Sequence, residues 1–385
     1  MEKYEYLFAG NGLSGLTLAY DIISNPLLSG RLLMVDRRQK NRNDRTWGFW
    51  HHGTTVFNDI VYRKWKDLIF AGPRSFHHIH LQDFSYQVIR GIDLYNFLAL
   101  KLKASGRVDF LNAPITAIRE GKDCAVLCSG ENEYTGKWLF NSTNMNFQGH
   151  EQKHKKPPLY LQFNGWTIKP DKPVNTDCLT FMDFRTPQKR GVRFFYMVPY
   201  KPDRLLIEYT AFLAPKKLYK DHKSPMERYI KDVMGIESFE ILEEERGCLP
   251  LFTSIKKRRQ GSRVLCIGNA AGHLKATTGY SFKRIQEDSL NIVRSLVEYK
   301  HPFRIPGPSR FYSFVDRVMV LVMTRFGHTI HRIFDLLFKK NSVNRILNFL
   351  DETASLPECL EIMQSLPAHY FYRAIFSEMG FMGKK

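Results

Sequence analysis

Acidic residues are scarce in this chain: 38 Asp and Glu stand against 57 Lys and Arg in 385 residues, a formal net charge of +19. With 43% hydrophobic and 25% charged residues the chain reads as globular, neither disordered nor fibrous, with one large or two intimate domains. Cysteine is sparse as well. The six present include no Cys-x-x-Cys pair, which excludes the spacing of a structural zinc site, and most lie in apolar stretches suited to reduced, buried thiols. Long apolar runs are missing: no window offers the ~18 uninterrupted apolar residues that a spanning helix needs. A first strand beginning at Tyr4 leaves no room for a signal peptide. The expected location is therefore cytoplasmic, with peripheral membrane association. Neither zinc-finger spacing nor an RNP-type aromatic motif is present, so nucleic acid is not the expected partner. The basic field points to an acidic membrane surface. His77-His78-Ile79-His80 lacks a nearby carboxylate or cysteine at ligand spacing, and no metal is expected.

What is present begins at the N-terminus. Tyr4 to Phe8 is a short apolar run suited to a buried parallel strand. Gly10-Asn11-Gly12-Leu13-Ser14-Gly15 follows, then a helical stretch from Leu16 to Ser24 closed by Asn25-Pro26. A second strand, Arg31 to Val35, ends at Asp36, with Arg37 next to it. Gly10 permits the tight turn, Gly12 lets backbone approach a pyrophosphate, and Gly15 lets helix and strand pack closely. The helix N-terminus supplies N–H groups and a positive dipole end, and Asp36 can accept hydrogen bonds from ribose hydroxyls. Strand, glycine turn, helix, strand and terminal acid in this order predict a dinucleotide-binding unit.

A second glycine turn decides which dinucleotide. Val264 to Ile267 reads as a strand followed by Gly268-Asn269-Ala270-Ala271-Gly272, and Gly279-Tyr280 precedes a helix running to about Glu298. This resembles the GDAAG-like turn of FAD-dependent hydroxylases and reductases, in which the acid meets the ribityl chain. Here Asn269 stands at that position, and an amide can also bond ribityl hydroxyls. Tyr86 to Leu98 is predicted as a helix with Arg90 near its start, either approaching the cofactor or exposed to solvent. Trp138 to Asn141 reads as another strand, ending in Ser142-Thr143-Asn144.

The middle of the chain has a different texture. Leu159–Trp166, Cys178–Phe184, Val192–Pro199 and Arg204–Thr210 alternate as β-strands between turn clusters. The predicted fold is α/β: a Rossmann-like FAD-binding domain (1–60, 85–150 and 255–300) with an inserted antiparallel β substrate domain (61–84 and 151–254). A helical region follows (301–385). Its apolar stripe from Phe311 through Val318, Val322 and Ile333 to Leu337, flanked by Arg317, Arg325, Arg332, Lys339 and Lys340, either packs on the core or lies on an acidic membrane.

One carboxylate, Glu208, sits in the apolar run Arg204–Thr210, with aromatic strands nearby. Buried without a partner, such a group holds its proton near neutral pH and acts as an acid. Paired with Arg204, Arg193 or Arg185, it is an ordinary strand-face glutamate.

The segment LLIEYT around Glu208 resembles the Glu-containing strand of the lycopene cyclase family. Other pieces match in order: GNGLSG, Arg45-Thr46-Trp47-Gly48-Phe49, QFNGWT (Gln162 to Thr167), Met182-Asp183-Phe184, Glu244-Glu245 before Gly247-Cys248-Leu249-Pro250, and Thr278-Gly279-Tyr280-Ser281. Tyr209 departs from the pattern, standing where an acid is common. The resemblance implies an enzyme that binds FAD, needs it reduced with NADPH as reductant, and closes the ψ-end of lycopene into a β-ionone ring without net redox change. Glu208 is then the acid, and Trp166, Phe184, Tyr196 and Tyr280 are candidate rings to stabilise a carbocation, Tyr280 also flanking the cofactor. A water-insoluble hydrocarbon would be drawn from a membrane. An FAD-dependent monooxygenase or isoprenoid reductase acting on a lipophilic substrate is the alternative on the same fold.

Overall fold

The computed structural model describes residues 3–143, 145, 147, 157–188, 191–215 and 222–382; Asn144, named above, lies outside them. From the N-terminus run β1 (Lys3–Ala9), α1 (Leu13–Ser24) and β2 (Leu32–Asp36). Short strands follow: β3 (Thr46–His51), β4 (Arg63–Trp65), β5 (Asp67–Ala71), β6 (Phe76–His80) and β7 (Ser85–Arg90). Next come α2 (Gly91–Ala104), β8 (Val108–Asn112), β9 (Ala117–Glu120), β10 (Ala125–Ser129) and β11 (Asn132–Asn141). The long strands are β12 (Leu159–Pro170), β13 (Cys178–Asp183), β14 (Val192–Lys201), β15 (Arg204–Leu213) and, after α3 (Lys223–Asp232), β16 (Phe239–Leu251). Then follow β17 (Arg259–Gln260), β18 (Val264–Cys266), α4 (Gly268–Ala271) and α5 (Phe282–Tyr299). The C-terminal helices are α6 (Arg310–Phe326), α7 (Ile330–Lys340), α8 (Val343–Leu350), α9 (Leu356–Ser365) and α10 (Ala368–Met382).

The chain divides into two compact units. The first comprises residues 1–43, 90–156 and 254–309 and the second residues 44–89, 157–253 and 310–385. Residues 44–60, expected with the cofactor domain, cluster with the second unit, and so do the C-terminal helices.

In the first unit the sheet runs β17-β18-β11-β1-β2-β8, with β10 on β11 and β9 on β10. β1 is parallel to both β2 and β11, and β18 is parallel to β11. Leu7, Phe8, Leu33, Val35 and Leu139 are buried, as strands covered on both faces require. The predicted helix over Tyr86–Leu98 is a correction. Ser85–Arg90 is a strand because Tyr86, Gln87, Val88 and Ile89 are all buried within the sheet β3-β7-β4, and the helix starts only at Gly91.

In the second unit the main sheet runs β16-β12-β15-β14-β13-β5-β6. It is antiparallel except where β5 lies parallel to β13. Side chains alternate between its two faces. One face packs on α3: Trp166, Phe195, Ile207 and Tyr209 share a core with Met226, Tyr229 and Ile230. The Tyr229 ring stacks on Phe195 at 3.8 Å between centroids, and its hydroxyl donates to buried Asp183 at 2.6 Å. Asp183 also binds Arg185 at 2.6 Å, so the acid of the Met-Asp-Phe segment has a structural role on this face. In α6 and α7 the stripe residues Val318, Val322, Ile330, Ile333 and Leu337 are buried within the unit, while Arg317, Arg325, Arg332, Lys339 and Lys340 are exposed. Phe311, at the start of the stripe, is exposed; from Val318 onward the stripe packs on the core.

Candidate active site

Strand register builds the centre of the second unit. Gly165 of β12 faces Glu208 of β15 on one side and Glu245 of β16 on the other. Tyr196 of β14 lies opposite Glu208 on its far side. Glu245, Gly165, Glu208 and Tyr196 therefore form one row across the sheet, on the face turned away from α3. A Cβ on Gly165 would lie 2.9 Å from Glu245 Cγ and 3.1 Å from Leu206 Cδ1. Only glycine leaves room for the two carboxyl groups to meet, and they hydrogen-bond each other.

Hydroxyls anchor the pair at both ends. Thr210 Oγ1 donates to Glu208 Oε1 at 2.6 Å, and Thr46 Oγ1 donates to Glu245 Oε2 at 2.8 Å. The Tyr200 phenol is hydrogen-bonded to Thr46. Burial pushes the Glu208 carboxyl up; the Thr210 hydroxyl, Glu245 and the charge of Arg45 offset part of this. Burial pushes Glu245 well up too, and the neighbouring charge of Glu208 adds to it, while Thr46 and Arg45 act in the opposite direction. Two ionised carboxylates in contact away from water would each cost several kcal/mol, so the pair retains at least one proton near neutral pH. Glu245 is 8% exposed. Glu208 lies deep in the protein yet keeps some accessible surface.

Aromatic rings flank the row. Phe194 and Phe181 meet Tyr196 edge-on at 5.1 and 6.0 Å, and Phe184 lies 5.3 Å from Phe194. Tyr196 and, through Phe194, Phe184 thus belong to the Glu208 face. Trp166 does not: one residue on from Gly165, it points into the core beneath α3, which removes it as a neighbour of Glu208. Tyr209 points that way too, stacked on Phe195 at 4.8 Å. An acid at position 209 would therefore lie on the wrong face to join Glu208. None of the expected arginine partners sets Glu208. Arg185 is bound to Asp183, Arg193 alternates to the α3 face, and the cation acting on Glu208 is Arg45.

In the first unit the two glycine turns pack on each other. Gly10 has φ +102°, and a Cβ there would lie 2.3 Å from Ser142 Oγ; a Cβ on Gly15 would lie 2.3 Å from the Gly10 carbonyl oxygen. A Cβ on Gly268 would lie 2.4 Å from Ser14 Oγ, so the start of α4 rests against the start of α1. Leu13 is buried beneath this turn. Gly12 faces open space: a Cβ there meets nothing within 4 Å. The N-terminus of α1 has no side-chain cap, and the Asn11 side-chain oxygen is buried without a protein partner among the described residues. The backbone N–H groups of Asn11 and Arg38 donate to Asp36 at 2.9 and 3.0 Å, fixing its carboxylate at the end of β2. Uncapped N–H groups, open space at Gly12 and a positioned acid fit a dinucleotide.

Arg37 is exposed, Asn269 is exposed with its carbonyl accepting from Lys256, and Gly279 (φ +77°) precedes half-buried Tyr280 ahead of α5. Arg90 caps the start of α2 and grips Asp93 through Nε and Nη2 at 2.6 and 2.8 Å.

The sequence matches the family described as "Lycopene cyclase protein" over residues 6–375. This chain is a member of the lycopene cyclase family. The lycopene beta-cyclase of Pantoea ananas is 23% identical over 286 residues, 72% of this chain and 71% of that protein. The chloroplastic lycopene beta cyclase of Arabidopsis thaliana is 26% identical over 208 residues, 50% of this chain and 40% of that protein. Alignments thus span less than half the length of such plant relatives. Among solved structures, a geranylgeranyl bacteriochlorophyll reductase-like protein from Thermoplasma acidophilum matches with a TM-score of 0.62 at 12% identity, covering 98% of both chains. The flavin-dependent brominase Bmp2 matches with a TM-score of 0.61 at 12% identity, covering 100% of both. These likenesses establish the fold as that of Rossmann-type flavoproteins.

Within this lycopene cyclase family member, five of the recognised sequence pieces supply the carboxyl pair and its setting. Arg45 and Thr46 come from RTWGF, Gly165 from QFNGWT, Glu208 and Thr210 from LLIEYT, Glu245 from the EEERGCLP segment, and Phe184 from MDF. Sequence pattern alone does not mark Glu245, Thr46, Thr210 or Tyr200 as site residues. A run of three glutamates, Glu243 to Glu245, does not reveal which one faces inward. Only the pairing with Gly165 identifies Glu245.

Proposed function

We propose that this protein is a lycopene beta-cyclase that closes the ψ-end of lycopene into a β-ionone ring by acid-catalysed isomerisation, with no net redox change. The supporting observation is the buried carboxyl pair: a protonated acid held on an aromatic-walled face suits protonation of a hydrocarbon. Glu208 transfers its proton to the terminal double bond, leaving a tertiary carbocation. The neighbouring alkene attacks it and closes a six-membered ring, and loss of a proton from the ring sets the final double bond. Tyr196 and Phe184 offer π faces worth about 0.5–2 kcal/mol each to a nearby cation.

The first unit is the proposed FAD site. Gly10, Asn11, Gly12, Leu13, Ser14 and Gly15 would receive the pyrophosphate at the α1 N-terminus, and Asp36 the ribose, with Arg37 beside it. Gly268, Asn269, Gly279, Tyr280 and Arg90 are further candidate contacts. When bound and reduced, with NADPH as the proposed reductant, the flavin would supply negative charge. The substrate would come from an acidic membrane surface, reached by the basic, aromatic C-terminal helices of a cytoplasmic, peripherally bound protein. Phe314, Leu356, Leu360, Tyr372 and Phe376 are exposed there. Among the described residues no helix is long and apolar enough to cross a membrane.

The test is incubation of lycopene with the protein and reduced FAD, followed by mass analysis of the pigment. A cyclic product of unchanged mass is expected. A gain of oxygen or of two hydrogens would replace this reading with the monooxygenase or reductase.

A further inference from the structure

We propose that Glu245 is a positioning residue for the acid: Glu208 and Glu245 hold one proton between them, Glu208 delivers it, and the pair takes it back from the closed ring. The inference rests on the cyclase reading for the identity of the acceptor, and on geometry for the pair itself.

The geometry is specific to sharing. The two glutamates come from strands that are not neighbours, β15 and β16, and reach each other over the one residue of β12 that has no side chain. Each spends one oxygen on a threonine hydroxyl, and they bond to each other. A carboxyl–carboxyl hydrogen bond needs a proton on one partner. The charge acting on both members of the pair is Arg45; Tyr200, held neutral by burial, feels both carboxylates and Glu243.

Sharing also balances the reaction. The carboxyl O–H breaks as a C–H bond forms on the alkene, and the π electrons of the second alkene become the ring C–C bond. A C–H bond beside the ring cation then breaks, its electrons form the new C=C bond, and its proton returns to a carboxylate oxygen. No water, oxidant or reductant is consumed. After donation both carboxylates are ionised in contact, which favours recapture.

The experiment compares the pH dependence of turnover for wild type, Glu245→Gln and Glu208→Gln. Glu208→Gln is expected to lose turnover by about 10²-fold or more at every pH. Glu245→Gln leaves a single carboxyl and removes the mutual repulsion by which the pair retains its last proton. Its alkaline limb should therefore move toward acid by about one pH unit, a tenfold loss at neutral pH that recovers on acidification. A Glu245→Gln profile of wild-type shape, at whatever height, would overturn the proposal.

The infrared C=O band of a protonated buried carboxyl provides a readout independent of activity. It should persist to higher pH in wild type than in either glutamine variant; equal titration in all three overturns the shared proton even if the cyclase reading fails. Should Glu245→Gln not fold, Thr46→Val removes a hydrogen bond to the Glu245 carboxylate and should raise the pH at which the band disappears. An unchanged band in Thr46→Val would count against the pair.

Discussion

Glu208 and Glu245 meet through a hydrogen bond across a strand to which neither belongs. What allows this is an absence, the missing side chain of Gly165. Gly165→Ala would place a methyl group 2.9 Å from Glu245 Cγ and 3.1 Å from Leu206 Cδ1, against one long side chain and a packed leucine. Overpacking of this kind costs roughly 1–3 kcal/mol. A displacement of an acid by about 1 Å can cost on the order of 10²-fold in rate. Gly165→Ala is expected to lower the melting temperature modestly and cyclisation severely, both measured on purified protein. Wild-type turnover in this variant would show that the glycine does not hold the acid in place.

Glu208→Gln preserves volume and an acceptor for the Thr210 hydroxyl but has no acidic proton. General acids contribute about 10²–10⁴-fold, and turnover should fall at least to the lower end of that range while the protein still retains flavin. Pigment extracted from lycopene-accumulating bacteria expressing each form checks it. Cyclic carotenes made by Glu208→Gln at the full rate would remove Glu208 as the acid.

Much of this site was legible in the sequence, and the limits are physical. The first glycine turn was readable because its chemistry is local: a turn, a close approach and an acid one strand later lie within residues 10–36. The four middle strands were readable from alternation. Register was not, because it depends on pairing between segments tens of residues apart. Hence Trp166, a candidate ring for the site, turns away from Glu208, because Gly165 and Trp166 point to opposite faces. For the same reason Glu245, 37 positions after Glu208 in the chain, stayed one glutamate among three. The helix over Tyr86–Leu98 failed at its first turn for a related reason: burial of Val88 and Ile89 in a three-stranded sheet outweighs local helical pattern.

The flavin site makes its own demand. Gly10 holds φ +102°, and a side chain there would lie 2.3 Å from Ser142 Oγ. Gly10→Ala should cost about 1–3 kcal/mol of strain and strip the yellow cofactor from the purified protein. Asp36→Ala removes the acceptor that fixes the Asn11 and Arg38 N–H groups and should lose flavin with little change in fold. The flavin-to-protein absorbance ratio after gel filtration measures both, and full retention of flavin in Asp36→Ala would argue against this nucleotide site.

Asp21 on α1 reports on the first unit through pH. Burial pushes its carboxyl from 3.8 to about 6, offset in part by the Ser289 hydroxyl, which donates to it. The folded state thus binds this proton more tightly than the unfolded chain does. The stability it contributes is fully present below pH 3.8 and is lost as pH rises to about 6, up to about 3 kcal/mol in all. Asp21→Asn cannot ionise, so wild type should lose melting temperature relative to this variant across that window. A constant difference from pH 4 to 6.5 would contradict the buried carboxyl.

Membrane docking is the step on which delivery of an insoluble substrate depends, and it makes a prediction about salt. From Val318 to Leu337 the apolar stripe of α6 and α7 is committed to the core, so that part cannot also lie in a bilayer. What remains is the +19 net charge, the exposed Arg317, Arg325, Lys339 and Lys340, and scattered exposed rings such as Phe314 and Phe376. Basic residues near an acidic surface contribute about 1 kcal/mol each, within a Debye length of roughly 10 Å at 0.1 M salt that shrinks to about 3 Å at 1 M. Cosedimentation with vesicles containing acidic lipid should therefore be strong at low ionic strength and largely lost at 1 M salt, and neutral vesicles should bind little. Replacing Arg317, Arg325, Lys339 and Lys340 together by glutamine should reproduce the high-salt result at low salt without lowering flavin content. Binding that stayed constant from low to high salt would mean that the exposed rings, and not the charges, make the contact.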